Sequence, residues 1–208
     1  MKFLEIAGSF KKGPEGDNIR ESNGGRGFIS HDLRILPIPF IDNDTYDGVY
    51  NEHFLEHLTR QEGIAFLQEM HRVMKPGATI RIIWPSSDTL NRIKTAPNTG
   101  DNKFVELYHT YIIKRENVFN KQYYRQFGTT QYFNTLSKHQ QVAFRLLHQE
   151  GEHKYLWPIN ELIDCLDTIG FINAKEVPYQ VSSLAEFNNI DNPQEMRPLH
   201  STVVEAIK

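Results

Sequence analysis

The sequence predicts an α/β fold: a Rossmann-like, mostly parallel twisted sheet with an antiparallel terminal hairpin and a helical insertion. The first observation is the order strand, acidic turn, strand, helix, Lys-Pro-Gly, strand, which runs from Gly27 to Pro85. The second is the alternation of apolar and polar residues over Ala174 to Val181 and Thr202 to Ile207, which is typical of strands at the end of a sheet. Together these patterns predict half of a doubly wound sheet and two further strands near the end of the chain.

Composition limits the classes of protein to which the chain can belong. Its 208 residues, 39% of them hydrophobic and 24% charged, fit a single globular domain over residues 1–208. A net charge of -3 gives no reason to expect a nucleic-acid partner. The single cysteine, Cys165, forms no internal disulfide, and the apolar run after Lys2 is too short to span a membrane. We therefore expect a cytoplasmic protein with no membrane partner, and its oligomeric state stays open.

The first third of the chain reads as short strands separated by loops. Phe3 to Ala7 predicts a buried strand, and Lys11 to Gly27 predicts a loop with a vestigial strand near Asn18 and Ile19. Gly27 to His31 and Tyr46 to Tyr50 predict two further strands, joined by a loop whose prolines exclude a helix. These strands would form one side of the sheet.

A capped helix and a strand follow. A short helical turn is expected over Glu52 to Leu58. Thr59 and Glu62 have the spacing of a capping box, and the apolar residues after them recur at intervals that suit a sheet-facing helix. Pro76-Gly77 should end this helix, and Thr79 to Trp84 should form the next strand.

The sequence pattern over residues 86–152 predicts a helical insertion that forms a lid. Lys94 to Asn102 is the most loop-like segment, whereas Phe104 to Ile112 and Lys138 to Gln149 have helical patterns. A further helix is expected from Pro158 to Ile169, where Gly170 suits the left-handed position that ends it.

Several segments resemble one family in order and spacing, and that family is the type-11 branch of the class I S-adenosylmethionine-dependent methyltransferases. The matching segments are His31-Asp32-Leu33, Leu36-Pro37-Ile38-Pro39-Phe40, Asp42-Asn43-Asp44-Thr45-Tyr46-Asp47, His53-Phe54-Leu55-Glu56-His57 and Arg72-Val73-Met74-Lys75-Pro76-Gly77. The resemblance implies S-adenosylmethionine as cofactor, bound across the tips of the first four strands. It also implies methyl transfer to an unidentified small-molecule or sugar-like acceptor.

The resemblance assigns the first cofactor contacts to the turn after the first strand. Family members carry a glycine-rich turn there, because glycine lets the backbone approach the cofactor closely. This chain has a degenerate version, in which Glu5, Ala7, Gly8 and Ser9 are the implied contacts. Any positive φ that the turn requires would cost a non-glycine residue roughly 1 kcal/mol.

The ribose-binding acid of the family is replaced. Arg20 stands where the family has an aspartate, so Glu21 is the implied substitute, with Asp17 as a second possibility. A carboxylate near the end of the second strand could accept hydrogen bonds from both ribose hydroxyls.

The remaining implied contacts follow the next two strands. Asp32 would accept a hydrogen bond from the adenine amino group while the backbone amide of Leu33 donates to the ring; alternatively, Asp32 caps its own loop. Asn51 would contact the methyl donor, and His53 would act as the catalytic base for an acceptor that must lose a proton.

Two alternatives remain open. His53-Phe54-Leu55-Glu56-His57 also spells H-x-x-E-H, a zinc-hydrolase pattern, but the fresh helix at Thr59 argues against the long helix that such a centre needs. We therefore expect no metal. The degenerate glycine turn and the missing ribose acid favour the second alternative, a catalytically inactive methyltransferase-fold subunit for binding or assembly.

Overall fold

The computed structural model describes residues 1–7, 16–20, 29–99, 136–148, 151–192 and 200–208, and residues 103, 105–107, 109 and 110 between them. The strands are β1 (Phe3–Ile6), β2 (Gly16–Arg20), β3 (Ile29–Ser30), β4 (Tyr46–Glu52), β5 (Met74–Trp84), β6 (Ile172–Glu176) and β7 (Thr202–Ile207). The helices are α1 (Arg60–Val73), α2 (Ser87–Thr99), α3 (Lys138–His148) and α4 (Ile159–Ile169), with 3-10 turns at Leu55–His57 and Ala185–Phe187.

The strands form one seven-stranded sheet in the order β3-β2-β1-β4-β5-β7-β6. β1 to β5 pair in parallel, and β7 runs antiparallel between β5 and β6. The α/β sheet with an antiparallel terminal hairpin is thus confirmed. Since the chain moves outward from β1 on both sides, β1 and β4 flank the switch point, where sheets of this kind bind ligands beyond their carboxyl ends. The first residues of β7 lie at that same edge, because Trp84 pairs with Thr202.

Local signals position α1. The Thr59 side chain accepts a hydrogen bond from the Glu62 amide at 3.3 Å, and the Glu62 carboxylate accepts one from the Thr59 amide at 2.8 Å, so the capping box is confirmed. The helix ends at Val73 rather than at Pro76-Gly77, and β5 begins directly at Met74. This boundary differs because strand pairing with β4 starts early, at Tyr46 opposite Met74.

The two faces of the sheet have different cores. α1 and α4 cover one face with a large apolar cluster, and residues 177–190 cover the other, where Phe187 packs against Phe3 and Tyr50. Arg81 of β5 is fully buried on this second face. Its guanidinium pairs with the carboxylates of Asp191 and Glu205, so a charged network holds the covering segment to the sheet.

Three sequence expectations are wrong in extent. Residues 16–20 form a paired strand of the sheet rather than loop around a vestigial strand, because β1 and β3 supply backbone partners on both sides. Lys94 to Thr99 is helical rather than loop, because Ile93 and Ala96 lie on an apolar stripe that packs against Val142. The strand expected over Ala174 to Val181 is shorter and ends at Glu176.

The insertion has a small apolar core of its own. Ile93, Ala96, Val105, Val142 and Leu146 form this core. The described residues between 103 and 110 are helical, as expected, but Phe104, Tyr108, Tyr111 and Ile112 of the predicted stripe lie outside the described residues. Within the described ranges, no helix has both the length and the apolar character needed to cross a bilayer.

Candidate functional site

The turn after β1 has the backbone geometry of a glycine position. Ala7 adopts a φ of 57°, in the left-handed region that side chains disfavour by about 1 kcal/mol or more. Its amide donates to the Ile19 carbonyl of β2 at 3.1 Å, so the turn is anchored between two strand ends. Gly8 and Ser9, the other predicted contacts of this turn, lie outside the described residues, as does Glu21.

Glu5 of β1 and Asp17 of β2 both have partners within the protein. Glu5 accepts a hydrogen bond from Asn18 and lines a cavity of about 40 Å³ with Tyr50, which could hold a water molecule but not a nucleoside. Asp17 lies near the amino end of β2, where its carboxylate accepts from the Tyr46 hydroxyl at 2.7 Å. Asp17 is therefore at the wrong end of its strand for the suggested ribose contact.

Asp32 follows β3 and forms a compact turn with Arg34. Its carboxylate accepts from the Arg34 amide at 3.0 Å and from the guanidinium at 2.8 and 3.0 Å. These hydrogen bonds from Arg34 hold the pKa of Asp32 below its ordinary value. Leu33 is 1% exposed and packs in the core, so only its backbone is suited to contact a ligand.

Asn51, the penultimate residue of β4, is a buried polar side chain at the carboxyl edge of the sheet. The residue is 0% exposed, and neither its amide nitrogen nor its amide oxygen has a hydrogen-bond partner among the described residues. Its neighbours in register are Ile6 of β1 and Ile82 of β5, which offer no side-chain partner. A buried amide left in this condition costs about 1–3 kcal/mol, a cost that a polar ligand could offset.

His53 lies just beyond β4 and is held at both ring nitrogens. Its Nδ1 is 3.0 Å from a carboxylate oxygen of Glu56, and its Nε2 is 2.8 Å from the Ser201 hydroxyl. The backbone is fixed as well: φ is 51°, and the amide donates to the Ile83 carbonyl at 2.8 Å. The ring also contacts His200 edge to face, with centroids 5.4 Å apart.

This arrangement assigns roles to the two nitrogens. The Glu56 side chain is 0% exposed, and a buried carboxylate accepts hydrogen bonds, so Nδ1 carries the proton that faces it. Nε2 is then the basic nitrogen and accepts from the Ser201 hydroxyl. A base oriented by a carboxylate, next to a hydroxyl, has the geometry of general-base catalysis.

Sequence reasoning identified only part of this group. His53 and Asn51 came from the motif, and Glu56 entered only through the zinc-hydrolase alternative. Ser201 was missed, because it lies 148 positions from His53 and only the antiparallel β7 brings it to this edge. No local sequence signal marks such a partner.

Comparison with known proteins agrees with this fold. Residues 16–82, about a third of the chain, match a family model described as "Methyltransferase domain". This range contains Asp32, Asn51 and His53. No curated protein matches the sequence.

Solved structures of two methyltransferases share the fold. One is a SAM-dependent methyltransferase from Archaeoglobus fulgidus, with a TM-score of 0.53 and 14% identity over 100% of this chain and 86% of that one. The other is the 1,6-didemethyltoxoflavin-N1-methyltransferase of Burkholderia thailandensis, solved with 1,6-didemethyltoxoflavin and S-adenosylhomocysteine. Its TM-score is 0.50 and its identity 10%, over 100% of this chain and 70% of that one. At such identities the likeness establishes the fold alone.

Proposed function

We propose that this class I S-adenosylmethionine-dependent methyltransferase, identified by its sheet order and its match over residues 16–82, methylates a hydroxyl group of a small-molecule or sugar-like acceptor. The observation that carries the choice of a hydroxyl is the His53 ring, which is oriented by Glu56 and hydrogen-bonded to a hydroxyl at 2.8 Å. An acceptor that does not have to lose a proton when it is methylated would need no such base.

The residues at the carboxyl edge fit the cofactor. Ala7 keeps the left-handed backbone and small side chain that a close ligand approach requires, and the Asn51 amide offers a buried donor and acceptor. We assign further contacts to Gly8, Ser9 and Glu21, to the Asp32 carboxylate, and to the backbone of Leu33. Glu5 receives no contact, because its carboxylate accepts from Asn18 beside a cavity that fits only a water molecule. When bound, S-adenosylmethionine supplies an electrophilic methyl group on a positively charged sulfur.

The proposed chemistry uses Nε2 of His53. The acceptor hydroxyl takes the position of the Ser201 hydroxyl and gives its proton to Nε2 as its oxygen attacks the methyl carbon. Bound S-adenosylmethionine would supply that methyl group, with its sulfur–carbon bond breaking as the new oxygen–carbon bond forms. The imidazolium is stabilised by the buried Glu56 carboxylate 3.0 Å away, and it later returns the proton to water.

The insertion at residues 86–152 is proposed as the cover over this site. α2 begins three residues after β5 ends, and its first turn is tied to the start of β7. Ser86 contacts Thr202 at 2.9 Å, and Thr89 donates to the His200 carbonyl at 3.5 Å. The cover therefore starts beside the residues that flank His53, where it could exclude water from the reaction.

One observation favours the non-catalytic alternative. The Asp32 carboxylate is bound by its own Arg34, so adenine would have to compete with an internal partner. A protein that keeps the fold as a binding or assembly subunit would tolerate this pairing. Binding of the cofactor product separates the two functions, because only the enzyme requires it.

The test of the proposed base is His53→Gln, with His71→Gln on α1 as the matched control. Both proteins are incubated with S-adenosylmethionine and a panel of alcohols, sugars and phenols, and S-adenosylhomocysteine release is measured by mass spectrometry. His53→Gln should lower kcat about 10²- to 10⁴-fold with cofactor affinity retained, and it should flatten the rise of rate with pH. Equal turnover in both variants would remove His53 from the mechanism.

A further inference from the structure

Two further histidines lie next to Glu56, and Nε2 of one of them, His57, is 4.0 Å from the same carboxylate oxygen that faces His53. Donor atoms of Glu56, His57 and His153 all lie within 4.8 Å of one another. Glu56 and His57 belong to the turn after β4, whereas His153 precedes α4, almost a hundred residues later. The backbone joins the two segments, because the Glu56 carbonyl accepts from the Lys154 amide at 2.8 Å. This hydrogen bond fixes the backbone positions of the two segments that carry the cluster.

The protonation state of His153 follows from one contact. Its Nδ1 is 2.6 Å from the Leu146 carbonyl, which can only accept, so Nδ1 carries the proton. Nε2 then presents a lone pair, and it is buried with no hydrogen-bond partner among the described residues. A carbonyl on the far nitrogen is the usual support of a histidine that binds a metal.

The surroundings of Nε2 call for a positive group. Nε2 and the Glu56 carboxylate are both acceptors, so they cannot satisfy each other without a proton or a cation between them. A cation between them is a partner that the lone pair of Nε2 and the carboxylate can share.

We propose that Glu56, His57 and His153 bind one zinc ion, which fastens the segment before α4 to the turn after β4. Two imidazoles and a carboxylate are a common ligand set for zinc. Ligand atoms around tetrahedral zinc lie about 3.4 Å apart, so the site closes by roughly an ångström on binding. We expect His57 to move, because its side chain is 28% exposed whereas that of Glu56 is fully buried and Nδ1 of His153 is held by the Leu146 carbonyl.

This site differs from the zinc-hydrolase pattern considered for the sequence. That pattern needs both of its histidines on one long helix, with the glutamate as base. Here the first histidine, His53, faces Ser201 instead, and the carboxylate is a ligand rather than a base. The zinc site is structural, and it holds independently of whether His53 transfers a proton.

The experiment uses untagged full-length protein, stripped with a chelator and titrated with zinc in a calorimeter. Wild type should bind one zinc per chain and melt at a higher temperature with zinc than without it. His57→Gln and His153→Gln should each weaken zinc binding at least about tenfold, while His71→Gln leaves it unchanged. Cobalt in place of zinc should give the visible spectrum of a tetrahedral site without the thiolate band that Cys165 would cause.

Two results would overturn the proposal. Wild type that binds no zinc under these conditions would show that His153 is satisfied by a proton or by water instead. Equal weakening by all three histidine variants would show that zinc binds elsewhere on the surface. Circular dichroism before the titration shows whether His57→Gln and His153→Gln are folded.

Discussion

Replacing Asn51 with leucine should stabilise the ligand-free protein while it damages cofactor binding. Asn51 is fully buried between two strands, and both ends of its amide lack a partner among the described residues. Leucine has a similar size and no polar atoms. If the amide is kept for a ligand, removing it relieves the protein of a desolvation cost that only the ligand offsets.

The magnitude can be worked from the two unpaired ends. At the middle of its range of about 1–3 kcal/mol, each unsatisfied end costs about 2 kcal/mol, so the two ends together cost about 4 kcal/mol. Imperfect packing of leucine costs about 2–3 kcal/mol, which leaves an expected net gain of about 1–2 kcal/mol. For a chain of this length each kcal/mol shifts the melting temperature by about 2–4 °C. Asn51→Leu should therefore melt roughly 2–8 °C above wild type, with affinity for S-adenosylhomocysteine about tenfold weaker.

The assay is thermal unfolding of wild type, Asn51→Leu and Asn160→Leu, each with and without S-adenosylhomocysteine. Asn160 is exposed on α4, so its replacement should change neither the melting temperature nor the ligand effect appreciably. A lower melting temperature for ligand-free Asn51→Leu would show that the amide has a structural partner. An unchanged ligand effect would show that Asn51 does not face the cofactor.

Three further predictions concern stability. Ala7→Gly should gain about 0.5 kcal/mol in urea unfolding, because relief of the 57° φ exceeds the entropy cost of glycine, and a loss would mean that the turn is unstrained. Arg81→Met should lower the free energy of unfolding by about 3–5 kcal/mol, because two buried carboxylates lose their cation. Arg60→Met, which removes an exposed ion pair with Glu161, should lower it by less than about 1 kcal/mol. Burial alone would raise the pKa of Glu205, but hydrogen bonds from Ser182, Ser183 and Arg81 outweigh burial and lower the pKa below 4.5. The Glu205 carboxylate therefore stabilises the fold above pH 4.5, and this stabilisation is lost as the pH falls through the lowered pKa. Acid titration of Glu205→Gln should show a shallower loss than wild type, and an identical curve would contradict this.

Local chemistry made much of the fold predictable. The Thr59–Glu62 capping box and the end of α4 at Gly170 are each set by residues within a few positions of one another. The extent of β2 was not predictable, because its strand character comes from β1 and β3 rather than from its own polar sequence. Tertiary partners decide such segments.

Charged residues in strands show the same limit. Arg81 lies between two isoleucines, and its alternation in β5 would place it on a solvent-facing side of an ordinary sheet. In the structure Arg81 is buried, because its guanidinium donates to the carboxylate of Asp191, 110 positions later in the chain. The sequence pattern does not reveal the partner whose charge compensates for the desolvation of a buried arginine.

The candidate site also contains residues that the sequence motif reveals and contacts that only the folded chain creates. Asn51 and His53 could be found from the motif, since the carboxyl end of a parallel strand is a ligand position whatever surrounds it. The orientation of the His53 ring depends on Ser201, and the lone pair of His153 depends on Leu146. Both relations exist only once the strands and the insertion have packed.

Calorimetric titration of the full-length protein with S-adenosylhomocysteine tests the central claim, a cofactor site at the carboxyl ends of β1 and β4, most directly. We predict saturable binding at one site per chain, with affinity reduced by Asn51→Leu and by Asp32→Ala and unchanged by Asn160→Leu. Absence of heat and of any thermal shift at millimolar ligand would contradict the enzymatic function. The chain would then be a methyltransferase-fold subunit that binds or assembles without methyl transfer.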